Sequence, residues 1–441
     1  MASTSNVVGD VSQPVVFTTQ SPYPLPSQKF MIPASWRRYQ LSQLINKALG
    51  LPKPVPFDFL VRGEVLRGSL GEWGAEHGAG EEETLEIEYI ESVMPPQKMS
   101  SLPHEDWVSS VSCEIPGHFL TASYDGHIRA FDYSQTLVQS APAHTGPITS
   151  LCYVPSRADA QTHLVASASH DLTARLTRLS LAPVQTKNAP AEPLASLHLH
   201  TAPLASIASN VSGSHLLTAS WDGLIGLWDT VIPETDEVPH DETDNARRKR
   251  RKVARDEVEA RRKAPVTVLK SHTARVSKAV FSQDGRVAYS CGFDSTVRTW
   301  DVDNGICTHT ITAPEKPMLD LALTSDGHTA LAASTDRTIS LYDLRASTSS
   351  STPAVGALPH PATPSCIAPS PNAATQVVSG AYDGVVRVWD LRSMKTAMAS
   401  FRPWEKGEKV LAVDWVRGVV GVGGEGGMEI WRVGEADARI V

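Results

Sequence analysis

Cysteine is scarce in this chain of 441 residues and poorly placed for chemistry. Cys113, Cys152, Cys291, Cys307 and Cys366 are odd in number, widely scattered and without a Cys-x-x-Cys pair, so zinc and dithiol redox chemistry have no footing. They read as reduced core thiols in a reducing compartment. Long apolar runs are missing too: no stretch of about eighteen apolar residues is present to cross a membrane as a helix. The opening residues, MASTSNVVGD, lack the basic start and apolar segment of a secretory signal, so the expectation is a soluble protein that is not exported. No glycine-rich phosphate loop, metal-ligand cluster or single nucleophile site is in view, which argues against an enzyme and predicts no cofactor.

What is present is repetition. A small-residue strand, a turn acid and an aromatic six residues later recur as TASYDGHIRAFD, SASHDLTARLTR, TASWDGLIGLWD, SCGFDSTVRTWD, AASTDRTISLYD, SGAYDGVVRVWD and VGGEGGMEIWRV. The turn acids are Asp125, Asp171, Asp222, Asp294, Asp336, Asp383 and Glu425; their partners are Phe131, Thr177, Trp228, Trp300, Tyr342, Trp389 and Trp431. The period is that of four-stranded propeller blades, each of which buries its second face only against a neighbour. An open ring would expose two sheet edges, so Gln97 to Leu102 is expected to return as the outer strand of the last blade.

A histidine precedes most of the turns: His104, His144, His200, His272 and His360. Residues 97–435 thereby resemble the WD-repeat propellers, in which His, turn Asp, a Ser or Thr and a strand Trp form a buried cluster. The resemblance assigns that structural role to His200, Asp222 and Trp228, to His272, Asp294 and Trp300, and to His360, Asp383 and Trp389. A hydrolase triad is the rival reading of Asp, His and Ser together, but a constellation repeated around a ring is structural.

Residues 15–92 have no repeat. Strands at 15–19 and 30–33, a helix from Ser35 as N-cap to a stop at Gly50, strands at 57–61 and 64–66, a helical or irregular stretch to Gly80, and a strand at 84–89 follow in β-grasp order. The fold class is therefore mainly β: a seven-bladed propeller behind a small α+β ubiquitin-like domain, with a disordered segment at 1–14 and a linker at 93–96.

A ubiquitin-like domain ending in EEETLEIEYIESVMPP ahead of such a propeller resembles the Notchless-type arrangement of two ribosome-assembly families. Seven repeats favour the WD-repeat subunits of the PeBoW complex over Notchless, whose propeller has eight blades. The resemblance implies a scaffold in large-subunit (60S) assembly and pre-rRNA processing, found in nucleus, nucleolus and nucleoplasm. It implies as partners the block-of-proliferation and pescadillo subunits, the pre-60S particle and the AAA ATPase midasin. It further implies that an acidic loop completes the Mg²⁺ coordination of midasin's own metal site, which assigns that role here to Glu82, with Glu83 and Glu81 beside it. A substrate receptor of a ubiquitin ligase is the rival, weakened by a globular front domain where adaptor-binding helices would be needed.

Two features stand outside the repeat phrase. Residues 230–264 form a charged insertion in which six acids at 234–244 precede the basic clusters Arg247, Arg248, Lys249, Arg250, Arg251, Lys252 and Arg261, Arg262, Lys263. Such a block reads as a disordered loop with the spacing of a bipartite nuclear import signal, and it also suits nonspecific contact with RNA phosphates. The residues before the turn acids include Tyr124, Trp221, Phe293 and Tyr382, a rim of aromatics expected on the narrow top face. They are either lids over their own blades or a docking surface for a partner protein.

Overall fold

The computed structural model describes residues 12–51, 53–80, 82–156, 162–181, 191–238, 260–313, 316–345 and 354–434. They form two compact units, Met1–Pro95 with Trp389–Ala399, and Pro96–Val388 with Ser400–Val441.

The front unit contains β1 (Ser12–Thr18), β2 (Lys29–Pro33), α1 (Arg38–Leu49), β3 (Phe57–Val61), β4 (Glu64–Val65), α2 (Leu70–His77) and β5 (Leu85–Glu91). The sheet runs β2-β1-β5-β3-β4, with β1 and β5 parallel at its centre, which is the β-grasp order. Alternation along the strands turns Val15, Phe17, Leu85, Ile87 and Tyr89 inward, where Leu41 and Ile45 of α1 and Phe57 and Phe59 of β3 close the core. Burying each such large side chain contributes about 1.5–3 kcal/mol.

Three expectations shift. Ser12–Pro14, expected to be disordered, belong to β1. The N-cap of α1 is Arg37 rather than Ser35, and the Gln40 side chain turns back to accept the Arg37 N–H at 3.1 Å. The stretch before Gly80 is a true helix: Ser69 and Glu72 cap α2 reciprocally, Glu72 N–H donating to Ser69 Oγ (3.2 Å) and Ser69 N–H to Glu72 Oε2 (2.9 Å).

The second unit is a ring of seven blades whose innermost strands are Val108–Ser112, Ile148–Val154, Leu204–Ser209, Val276–Phe281, Met318–Leu323, Pro364–Pro369 and Val410–Val416. A sixth strand of the chain, β6 (Gln97–Leu102), pairs antiparallel with Gly427–Arg432 as the outer strand of blade 7. The closure is fastened by Lys98, which binds the buried Glu429, while Trp431 Nε1 donates to the other Glu429 oxygen at 3.0 Å.

Each junction between innermost strands carries a side-chain latch to the neighbouring backbone. Hydroxyls donate from Ser109 to Ile148, Thr149 to Leu204, Ser277 to Met318 and Ser365 to Val410. At the other three junctions Ser206 accepts from Ala279 N–H, Asp320 from Ile367 N–H and Asp414 from Cys113 N–H. These bonds satisfy the backbone groups that innermost strands would otherwise leave unpaired.

Candidate interaction surfaces

The repeated histidines are bonded within their own blades. In blade 4, Trp300 Nε1 donates to Ser290 Oγ (2.8 Å), Ser290 Oγ meets His272 Nε2 (2.7 Å), and His272 Nδ1 meets Asp294 Oδ2 (2.8 Å). Blade 3 repeats the chain through Trp228, Thr218, His200 and Asp222. Burial alone would raise the Asp294 carboxyl, but the His272 bond and the donors from Thr296 and Thr273 outweigh it and hold the group at about 2. A cluster absent from the sequence reading stands in blade 2, where His144 joins Asp171 (2.9 Å) and Ser167 (2.8 Å) although Thr177 replaces the Trp.

Blade 6 corrects the third expected cluster. His360 turns Nδ1 to the Leu358 carbonyl (3.0 Å) and Nε2 to Ser379 (2.8 Å), while Asp383 is taken by Arg387 (2.6 Å). In blade 6 the physical cause is the next residue. In blades 2, 3 and 4 it is Thr145, Thr201 or Thr273, whose N–H also binds the turn aspartate; in blade 6 it is Pro361, which has no N–H. Blade 1 follows blade 6: His104 binds Leu102 and Thr121, and Arg129 takes Asp125.

On the face carrying these turns, the aromatics gather in two groups. Tyr124 packs on Trp107 with centroids 5.7 Å apart, and Lys409 lies 6.0 Å from the rings of both Trp107 and Tyr382. Across the ring, Trp221 sits between His170 (5.3 Å) and the Arg275 guanidinium (4.6 Å), and Phe293 N–H donates to the Arg275 carbonyl. Trp107, Trp221, Phe293 and Tyr382 are about two-fifths exposed. Trp107, Arg275 and Lys409 were missed by the sequence reading, yet all three occupy one register, the residue just before an innermost strand.

Blade 7 needs a second correction. Its turn has only two residues, with Gly424 opposite Gly427, so Glu425 takes the backbone slot of the aromatic rather than of the acid. Its N–H donates to the Lys409 carbonyl, as Tyr124 N–H does to Trp107.

The acidic turn of the front domain lies between Gly80 and β5. Glu83 pairs with Arg62, whereas Glu82 is exposed and holds no hydrogen bond or ion pair among the described residues; Glu81 lies outside them.

Arg247 to Lys252 also lie outside the described residues, but Arg261, Arg262 and Lys263 are not a disordered loop. They form a fifth strand of blade 2, parallel to Glu192–Leu197. Lys263 is 2% exposed, its ammonium shared between Asp229 and the Val231 carbonyl, and Asp236 accepts from Arg262 N–H at 2.8 Å. Lys263 is thus not presented to a partner, whereas Arg261 is exposed and Arg262 half-buried.

Among the described residues no group of three His, Cys, Asp or Glu is placed to hold a metal ion. Residues 14–73 match the NLE (NUC135) domain model, and 96–132, 191–229, 263–301, 305–343 and 355–390 match the WD domain, G-beta repeat. A ribosome biogenesis protein YTM1 of Laccaria bicolor is 65% identical over 433 residues, 96% of this chain and 95% of that protein. The chain belongs to the YTM1 family. Its relative in Coprinopsis cinerea is 58% identical, covering 98% of this chain and 96% of that one, and the Saccharomyces cerevisiae YTM1 is 35% identical over 89% and 90%. Membership places the protein in ribosome biogenesis. The described blade without a repeat match before the insertion is blade 2, the one that has Thr177 in place of Trp.

Proposed function

We propose that this member of the YTM1 family is a scaffold without chemistry of its own in assembly of the large ribosomal subunit, working in the nucleolus and nucleoplasm. Its propeller docks the block-of-proliferation subunit, which links it to pescadillo and the pre-60S particle. The front domain offers Glu82 to the Mg²⁺ held by midasin, so that ATP-driven pulling strips the complex from the particle. The Mg²⁺ belongs to midasin; this chain supplies one oxygen.

The observation that carries this reading is the state of the acidic turn. A hard cation takes carboxylate oxygens, and a side chain can enter another protein's site only if it is free and rigidly supported. Glu82 is unpaired among the described residues and stands three residues before β5, a strand at the centre of the sheet. Arg247–Lys252 remains as a single basic cluster for nuclear import, with nonspecific RNA contact as its second use.

Affinity purification of wild type and Glu82→Ala from cells tests the reading. Loss of midasin with retention of the PeBoW partners is expected; unchanged midasin recovery from Glu82→Ala, and from a variant lacking all three glutamates, would remove the handle.

A further inference from the structure

We propose that Arg62 is the positioning residue of the acidic turn: it captures Glu83 and thereby leaves Glu82 as the projecting carboxylate. The inference rests on the reading above, in which this turn meets a metal ion held by a partner.

Arg62 stands in the tight turn from β3 to β4 with φ +52, a left-handed conformation uncommon for a residue with a Cβ. From there its guanidinium lies 5.7 Å from the ring of Trp73 on α2. Trp73 is 6% exposed and is backed by the His77 ring, stacked on it at 4.3 Å. The cation is thus guided by a wall fixed in the core, and it binds the Glu83 carboxylate.

The flanks of the turn are tied as well. Glu83 N–H donates to the Gly80 carbonyl (3.1 Å), which also accepts from the buried Gln13 side chain (3.4 Å), and Lys29 donates to Thr84 (3.3 Å). Gly80, Glu83 and Thr84 are held; Glu82 between them is not. Neighbouring carboxylates would compete for one metal position, and Arg62 removes the competitor by neutralising it. The Arg62–Glu83 pair is about half exposed, so it adds little to stability; what it selects is which oxygen faces outward.

The test measures binding of the full-length chain to the purified metal-site domain of midasin with Mg²⁺. Arg62→Ala is expected to bind roughly five- to tenfold more weakly, the cost of ordering a turn no longer held. Its melting temperature should be unchanged, and amide order over residues 80–84 should fall. Arg62→Lys should recover part of the affinity, and the charge swap Arg62→Glu with Glu83→Arg should return it to within about twofold, a rescue that loss of structure would not allow. Wild-type affinity in Arg62→Ala, or a swap no better than either single reversal, overturns the inference while leaving the handle intact if Glu82→Ala still abolishes binding. Full binding by Glu82→Ala would overturn both.

Discussion

Blades 2, 3 and 4 and blades 1 and 6 contain the same histidine and the same turn aspartate, yet connect them differently. In the first group the aspartate binds histidine and the threonine N–H after it; in the second an arginine four residues on takes the aspartate, and the histidine falls back on a carbonyl two residues before it. The arginine alone does not decide. Blade 4 has Arg298 at that position, 3.7 Å from Asp294, and keeps its histidine bond. In blade 6 the backbone donor that His-Thr supplies after the histidine is removed by Pro361; in blade 1 Glu105 follows His104, and the aspartate again goes to the arginine.

The contrast can be broken most sharply at the aspartates. Asp294→Ala strips His272 of its partner and leaves three backbone or hydroxyl donors unmet, so we expect a loss of about 3 kcal/mol in urea unfolding. Asp383→Ala leaves both His360 bonds in place but strips the largely buried Arg387 of its partner, so removing the pair together, Asp383→Ala with Arg387→Ala, should cost about half as much. Equal losses would contradict the two wirings.

Acid separates the groups next. Burial, opposed by the Leu358 carbonyl and aided by Arg387, lowers His360 to about 4 from an ordinary value of 6.5. The unfolded chain therefore takes a proton first as pH falls, so this stability is complete above about 6.5 and is lost on the way down to about 4, amounting to about 2 kcal/mol by pH 5. Asp294, depressed to about 2, holds its contribution until pH falls below the ordinary carboxylate range. Hydrogen exchange corrected for intrinsic rates should show blade 6 loosening between pH 7 and 5 while blade 4 does not, and His360→Gln should abolish the difference.

The smallest effect sharpens the contrast. Pro361→Thr with Arg387→Gly gives blade 6 the local sequence of blade 3, and His360 should then turn to Asp383. Stability should change by less than about 1 kcal/mol, while the His360 pKa measured by NMR rises above its present value of about 4.

Much of this was legible in the sequence because repeats report the same physics seven times. The turn acids, the strand aromatics and the closing strand all follow from a period and from the need to cover sheet edges. What escaped was local. The one-residue deletion in blade 7 was hidden because counting back from Trp431 puts Glu425 at the acid, whereas counting forward along the preceding strand puts it at the aromatic. Lys263 read as part of a solvated charge run because its partner, Asp229, lies 34 residues earlier. The His360-Pro361 exception was visible in the residues, but its consequence depends on a backbone donor that a side-chain motif does not record. At the acidic turn the resemblance put Glu82 ahead of Glu83 and Glu81; Arg62, distant in sequence, gives a physical difference between Glu82 and Glu83.

The central claim is that the two units carry separate contacts, one through Glu82 and one through the aromatic rim. Recovery of midasin and of the block-of-proliferation subunit should be measured together for Glu82→Ala and for a folded Tyr124→Ala, Trp221→Ala double variant. The account predicts that the first loses only midasin and the second loses the block-of-proliferation subunit. Recovery of that subunit at wild-type level by the double variant, or loss of both partners from Glu82→Ala, would contradict it.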